Sequence, residues 1–235
     1  IHPNMGSQKY YNAYSLGIQV SETPNVWPSD VELFEKSQKY YMNSDKFMTF
    51  ITTVTSHRPY TESSEYGNLY LDMFNDLDLS TSAKRYLSKL KVLDDGLATL
   101  LQQLTDTGKL DDTVIVLFAD HYPYGLSNKS LASFLGDEIL EEKNRDNIPF
   151  IIYNSTITPQ KYEDYTTIMN ILPTIANLFD LDYDPRLYMG SDLFDPNYES
   201  LAIFADGSWV NETAYYDASN SRLTYKNPAK IAKLS

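Results

Sequence analysis

The stretch TVIVLFADH, residues 113–121, contains seven apolar or β-branched residues without alternation and ends in Asp120 and His121. An unbroken run of this kind is typical of a strand covered on both faces of a sheet. Similar runs occupy residues 47–54 and 149–153. The sequence therefore predicts three buried strands.

Helices are predicted between and around these strands. Leucines recur at three- and four-residue spacings over residues 80–107, and Gly108 follows as a stop. Strand, long helix and strand in this order predict a βαβ unit with parallel strands. An apolar face over residues 167–179 predicts a second helix, and Ser29 or Asp30 can cap a third.

The pattern of apolar residues changes after residue 195. Short β-like runs follow at 201–204, 208–210 and 222–225, which predict a small antiparallel sheet. We therefore expect a division into two parts. Residues 1–195 form an α/β domain with a largely parallel sheet flanked by helices, and residues 196–235 form a small β-rich subdomain.

Composition excludes several classes of function. The 19 Lys and Arg against 32 Asp and Glu give a net charge of −13, which disfavours binding to nucleic acid or to an anionic membrane face. Without cysteine there can be no thiolate nucleophile and no Cys-based zinc site. No apolar run reaches the roughly 20 residues of a membrane span. The start at Ile1, His2 and Pro3 is interpreted as a cut within a longer protein.

Asp120 and His121 are the first candidate site residues. Ligands of open α/β sheets bind beyond the carboxyl ends of the strands, and this pair stands at such an end. A carboxylate with an imidazole can ligate one divalent ion, and the mixed donors suit Mn²⁺, Zn²⁺ or Mg²⁺ better than Ca²⁺. The alternative is an Asp that caps the turn beside an exposed His.

His57 is a second candidate, because it follows the run at 47–54 in the same topological position. Its imidazole could donate to a phosphate or sulfate oxygen, with Arg58 as a further donor; the alternative is a turn histidine exposed to solvent. Hydroxyl nucleophiles at Thr55, Ser56 and Ser127 are conceivable, although none lies in a Gly-x-Ser-x-Gly elbow.

Five segments in order resemble the lipoteichoic acid synthase-like members of the sulfatase and alkaline phosphatase superfamily. They are the strand ending in Asp-His, a His-x-Pro-Tyr turn preceded by threonines, a core strand, a hydrophobic-Pro-Thr helix and a Gly-x-Asp-Leu loop. In this sequence they lie at 114–122, 53–60, 147–152, 170–175 and 189–194. Asn170 stands where the family usually has Asp.

The N-terminal residues extend the resemblance. His2, Asn4 and Tyr11 match family residues that line a glycerol-phosphate pocket, whereas Ala13 stands where the family has Arg. The substitution removes a bidentate partner for phosphate and puts phosphoglycerol specificity in doubt.

The resemblance implies a membrane-anchored enzyme on the outer face of the cell. In such an enzyme a Thr nucleophile takes a phosphoglycerol group from a lipid headgroup, and one Mn²⁺ or Mg²⁺ activates the Thr. By the same resemblance Asp120 and His121 are metal ligands and His57 contacts the substrate phosphate. The Thr, its strand and helix, and the membrane anchor are expected upstream of residue 1.

Two alternatives remain open. The first is a sulfatase or phosphoethanolamine transferase of the same fold. The second is a non-catalytic module that binds a cell-surface polymer through aromatic side chains. Whichever holds, two metal ligands without a nucleophile predict that these 235 residues alone are inactive and hold the ion weakly.

Overall fold

The computed structural model describes residues 6–23 and 26–226. The chain divides into two compact units, Ile1–Ile157 and Thr158–Ser235. The strand-rich part begins at Leu201, inside the second unit. The predicted boundary at residue 195 thus lies near a change of secondary structure, and it stays a prediction as a domain boundary.

The first unit is mostly helical. Within the described ranges, none of the helices is long and apolar enough to cross a membrane. The elements of this unit, in chain order, are α1 (Ala13–Leu16), α2 (Asp30–Ser37), α3 (Glu65–Leu69), α4 (Thr81–Asp106), β1 (Ile115–Phe118), α5 (Asn128–Leu135), α6 (Glu142–Arg145) and β2 (Phe150–Tyr153).

The long predicted helix is confirmed as α4. Ser80 caps it by accepting a hydrogen bond from the Ala83 backbone N–H, and Gly108 follows its end with a φ of 66°. Its apolar stripe packs on α2, because the spacing of the stripe keeps these side chains on one face. The core built there contains Phe34, Tyr41, Met42, Leu100 and Leu104.

The α/β class is confirmed, but the predicted parallel pairing is wrong for the two strands of this unit. β1 and β2 are antiparallel, with Ile115 opposite Tyr153 and Phe118 opposite Phe150. Residues 47–54 form no strand and pair with no other strand of the described residues. The predicted full burial of these runs is also wrong, since Met48 and Phe50 are 83% and 76% exposed and Ile151 is 49% exposed. An apolar run specifies neither the direction of a neighbouring strand nor which elements cover it, so the same pattern fits several arrangements.

The second unit contains the short helix α7 (Ile171–Leu178) and an antiparallel sheet. The predicted antiparallel sheet is confirmed, and it has one more strand than predicted, β5, whose Ala-Tyr-Tyr-Asp sequence is too short to show alternation. The strands follow one another in the order β3 (Leu201–Ile203), β4 (Trp209–Asn211), β5 (Ala214–Asp217) and β6 (Arg222–Tyr225).

The Gly-x-Asp-Leu segment has a structural role at the start of α7. Asn170 is buried, accepts from the Thr167 backbone N–H at 3.1 Å and donates to the Ser191 carbonyl at 2.9 Å. A Cβ on Gly190 would lie 2.1 Å from the Met169 carbonyl oxygen. Only glycine therefore permits this close approach of the two backbones.

Candidate functional site

Asp120 and His121 lie directly after β1. The Ala119 N–H still donates to the Pro149 carbonyl at 3.4 Å, and the chain then turns away from β2. Nε2 of His121 lies 3.5 Å from Oδ1 of Asp120. The two side chains therefore converge, while metal binding by them stays a prediction.

The His121 ring is oriented by its other nitrogen. Nδ1 lies 2.6 Å from the Tyr122 carbonyl oxygen, which can only accept, so the proton is assigned to Nδ1. In the neutral ring, Nε2 on the side of Asp120 is then the nitrogen available to an ion. A ring nitrogen fixed by a backbone carbonyl is the usual arrangement of a metal-binding histidine. The Tyr124 ring supports the imidazole at a centroid distance of 4.5 Å.

The turn that bears His57 packs against the turn that bears His121. The Arg58 guanidinium lies 5.9 Å from the centre of the Tyr124 ring, and that ring also contacts His121. A Cβ on Gly125 would lie 3.0 Å from Cβ of Arg58. Close approach at Gly125 and cation–π contact at Tyr124 thus bring the two predicted site turns together, although they do not leave parallel strands.

His57 itself is half-buried. Nδ1 lies 2.9 Å from the Arg58 carbonyl oxygen, and the ring meets the edge of Trp27 at a centroid distance of 4.6 Å. Trp27 Nε1 donates to the same Arg58 carbonyl at 2.8 Å. The Arg58–Pro59 peptide bond is cis. Nδ1 is thus taken up by a backbone contact, whereas Nε2 makes no hydrogen bond to the described residues.

A buried charged pair lies beneath this turn. Asp30 accepts from the backbone N–H groups of Val54 and Thr55 at 2.8 and 3.1 Å, and Lys89 donates to the His57 carbonyl. Burial lowers the pKa of Lys89 to about 8, and the charge of Asp30 acts in the opposite direction. Burial also raises the pKa of Asp30, against the lowering effect of its hydrogen bonds.

The donor set fits part of a divalent metal site. Asp120 and His121 supply one oxygen and one nitrogen as neighbouring ligands, a combination that suits Mn²⁺ or Mg²⁺ with water in the remaining positions. Residues 6–23 and 26–226 contain no cluster of three or more His, Cys, Asp or Glu that could hold an ion. Further protein ligands would have to come from elsewhere in the protein.

The candidate hydroxyls have structural partners. The Thr55 hydroxyl accepts from the Asp30 N–H at 2.7 Å and donates to the Pro28 carbonyl at 3.1 Å. Ser127 caps α5 by accepting from the Ser130 N–H. Both hydroxyls therefore bind backbone groups. Among the described residues, the Ser56 hydroxyl forms no bond of this kind.

The N-terminal pocket residues are only partly described. Tyr11 stacks on Tyr40 at a centroid distance of 4.0 Å, next to α1, which begins at Ala13. His2 and Asn4 lie outside the described residues. The role of all three in binding glycerol phosphate stays a prediction.

The sequence patterns did not show that Trp27, Lys89 and Tyr124 hold the two turns. They indicated Asp30 only as a possible helix cap. One signal was available for Lys89. It lies in the buried stripe of α4 with Val92, Gly96 and Leu100, at spacings of three and four residues. A lysine in such a stripe indicates a specific buried partner, because an unpaired buried charge is strongly unfavourable.

The chain is similar to known proteins of one family. Residues 3–181 match the family model described as Sulfatase. The chain is 27% identical to the lipoteichoic acid synthase of Staphylococcus saprophyticus, over 92% of this chain and 33% of that protein. It is 24% identical to the lipoteichoic acid synthase of Staphylococcus aureus strain USA300, over 99% of this chain and 37% of that protein. The chain thus spans about a third of the length of these curated relatives.

A solved structure shows the same fold. The crystal structure of the lipoteichoic acid synthase LtaP from Listeria monocytogenes superposes with a TM-score of 0.71 at 19% identity, over 97% of this chain and 60% of that one. The fold is therefore α/β and alkaline-phosphatase-like. With most of its length matched by the family model, the chain belongs to the sulfatase family.

Proposed function

We propose that this chain is the part of a phosphoglycerol transferase, resembling lipoteichoic acid synthase, that holds a divalent ion and the substrate phosphate. The enzyme acts outside the cell on phosphate that is lipid-linked or part of a polymer. It is anchored in the membrane through a segment upstream of residue 1. The proposal rests on family membership together with the geometry of the two turns.

The observation that carries the proposal is the contact between those turns. One presents Oδ1 of Asp120 and Nε2 of His121 at a separation of 3.5 Å, and the other presents His57 and Arg58. Tyr124 contacts both turns. An anionic group held by imidazole and guanidinium donors beside a divalent ion would have the ligands that phosphoryl transfer requires.

Each side chain then has a distinct role. His57 donates to a phosphate oxygen, and Arg58 adds positive charge to the same region. Asp120 and His121 hold one Mn²⁺ or Mg²⁺. When bound, that ion supplies Lewis-acid stabilisation of charge on the transferred group. Tyr11, with His2 and Asn4, contacts the glycerol, and the attacking hydroxyl belongs to a Thr upstream of residue 1.

Turnover tests the proposal in the full-length protein that contains this chain. Transfer of glycerol phosphate from phosphatidylglycerol is measured with Mn²⁺, with Mg²⁺ and with chelator. Asp120→Asn should lower kcat/KM by roughly 100-fold or more, because it weakens binding of the ion and so reduces the positive charge that the ion supplies to the transferred group. Asp112→Asn, an exposed acid just before β1, is the matched control and should change little.

The rival chemistry of the same fold is tested in the same experiment. An aryl sulfate and a phosphatidylethanolamine are offered to the same protein. Transfer from phosphatidylglycerol alone supports the proposal, and faster sulfate hydrolysis or ethanolamine-phosphate transfer replaces it with the corresponding rival. Turnover that is unaffected by both chelator and Asp120→Asn contradicts the assignment of the metal ligands.

A non-catalytic polymer-binding role is the second candidate, and one observation favours it. Ile203, Trp209, Tyr216 and Leu223 are directly opposite one another across all four strands of the second unit. The Trp209 and Tyr216 rings stack at a centroid distance of 6.0 Å. A row of this kind could contact a polyol or sugar chain. Loss of polymer binding in Trp209→Ala, in a protein without turnover, would favour this role.

A further inference from the structure

Two charged side chains are almost completely buried beneath the His57 turn. Asp30 is 0% exposed and Lys89 is 2% exposed. Asp30 lies at the first turn of α2, and Lys89 lies in the first half of α4. Burial of even one such charge is costly, so a position of this kind is occupied by a charge only where specific partners hold it.

The partners of the two charges are backbone groups of one short segment. Asp30 binds the N–H groups of Val54 and Thr55, and Lys89 binds the carbonyl of His57. Together the two buried side chains bind three backbone groups of residues 54–57, two N–H groups before His57 and the carbonyl of His57 itself. A hydrogen bond to a charged group is stronger than one between neutral groups, so these contacts restrain the turn.

Helix packing fixes where the charges stand. Lys89 and Gly96 are seven residues apart and lie on the same face of α4. A Cβ on Gly96 would lie 3.2 Å from the Asp30 carbonyl oxygen and 2.8 Å from Cδ2 of Phe34. Gly96 therefore lets the start of α2 approach α4 closely. The approach brings Asp30 near enough to Lys89 for their charges to interact.

A purely stabilising role does not explain this arrangement. Well-packed apolar side chains in place of a buried charged pair are often neutral or stabilising. Apolar side chains could fill the volume, but they could not bind the backbone of residues 54–57. The specific consequence of the charged pair is therefore the position of that backbone.

We propose that Asp30 and Lys89 are positioning residues that set the orientation of His57 for an anionic ligand. They act through the backbone of residues 54–57 and do not touch the ligand themselves. The inference rests on the proposed role of His57 in binding substrate phosphate. Removal of the pair should leave a folded chain in which His57 occupies several orientations and binds the anion less well.

The experiment uses the full-length protein that contains this chain, labelled with ¹⁵N and ¹³C at histidine, and two NMR readouts. The first is the ¹⁵N and ¹³C signals of the His57 imidazole without ligand, which report its contacts with Trp27 and Arg58. The second is the shift of those signals on titration with glycerol 1-phosphate. The variants are Lys89→Met, Asp30→Asn and the two combined. The combined variant is included because it leaves no uncompensated buried charge and should therefore still fold.

The matched control is the combined variant Lys91→Met with Asp95→Asn. These residues form an ion pair on the same helix. The two control substitutions change the charge in the same way as Asp30→Asn with Lys89→Met. Lys91 lies two residues from Lys89, about 200° around the helix, and so faces another side. The control should leave the His57 signals unchanged and the apparent affinity for glycerol 1-phosphate within about twofold.

The expected result is that the Asp30→Asn/Lys89→Met variant melts cooperatively, shows broadened or shifted His57 signals, and binds glycerol 1-phosphate roughly tenfold more weakly. Unchanged His57 signals in that folded variant would overturn the inference, whatever the affinity. If wild-type His57 does not respond to glycerol 1-phosphate, the proposed function fails, and the ligand-free signals still decide whether the pair positions the ring.

Discussion

Nε2 of His121 lies 3.5 Å from Oδ1 of Asp120, while Nδ1 of the same ring contacts the Tyr122 carbonyl at 2.6 Å. The histidine therefore has its backbone contact on one side and the carboxylate of Asp120 on the other. A single turn after β1 brings the two side chains together, as the proposed binding of one ion by both residues requires.

Metal binding by this chain should be weak and should depend on both residues. A divalent ion needs about four or more ligands, of which two are provided here. Calorimetric titration with Mn²⁺ should give a dissociation constant weaker than micromolar, and His121→Ala should abolish the remaining heat. Asp112→Ala serves as the control. Micromolar binding that survives His121→Ala would place the metal site elsewhere.

Gly96→Ala should destabilise the first unit although alanine is the better helix former. The new Cβ meets Asp30 backbone atoms at 3.2 Å, and these cannot move without shifting α2. Overpacking of this kind costs about 1–3 kcal/mol, against roughly 1 kcal/mol gained in helix propensity. Urea unfolding measures the net loss.

Ala98→Gly supplies the helix-propensity reference for that experiment, because Ala98 lies two residues further along α4 on its exposed side. It should lower the free energy of unfolding by about 1 kcal/mol. A Gly96→Ala chain more stable than wild type would show that α2 and α4 are not in tight contact at this position.

Stability should rise with pH above 8 because of Lys89. Burial lowers the pKa of Lys89 in the folded chain to about 8, from an ordinary value of 10.5. Between these values the unfolded chain binds the proton and the folded chain does not, so the free energy of unfolding rises with pH. The contribution is present above the unfolded pKa and is lost as pH falls through the folded pKa.

Urea unfolding of wild type and Lys89→Met between pH 7 and pH 10 checks this, since only wild type carries the titrating group. The difference in free energy of unfolding should grow with pH, by at most about 1.4 kcal/mol per pH unit. Burial raises the pKa values of Tyr41, Tyr60 and Tyr86, so ionisation of tyrosine in the unfolded chain opposes the trend above pH 10. A difference that stays constant from pH 7 to pH 10 would mean that Lys89 titrates normally.

Asn170→Asp, the residue common in the family, should destabilise the second unit of this chain. The Asn170 amide donates to the Ser191 carbonyl at 2.9 Å, and a carboxylate would place two acceptors face to face in a buried position. Loss of this donor should cost about 1–3 kcal/mol in denaturant unfolding. Ser191→Ala is the control, because only the backbone of Ser191 takes part in that bond. Equal stability of the two variants would contradict a structural role for Asn170.

The long helix, the first strand and the chemistry of the candidate ligands could be predicted from the sequence. The leucine spacing predicts α4 almost to its ends, and the run at 113–119 predicts the strand that delivers Asp120 and His121. These features depend on local periodicity and on the order of residues along one strand, which sequence records directly. The family resemblance was likewise carried by short ordered motifs and is confirmed by the family match.

The pairing of the strands and the contacts between the helices and the turns depend on tertiary packing. An apolar run does not state the direction of its partner, so the antiparallel pairing of β1 and β2 and the unpaired course of residues 47–54 could not be predicted. The contact of Arg58 with Tyr124 and the bond from Lys89 to the His57 carbonyl join residues 66 and 32 positions apart. Contacts of that range arise only when helices pack, because burial and close backbone approach at Gly96 and Gly125 select the partners.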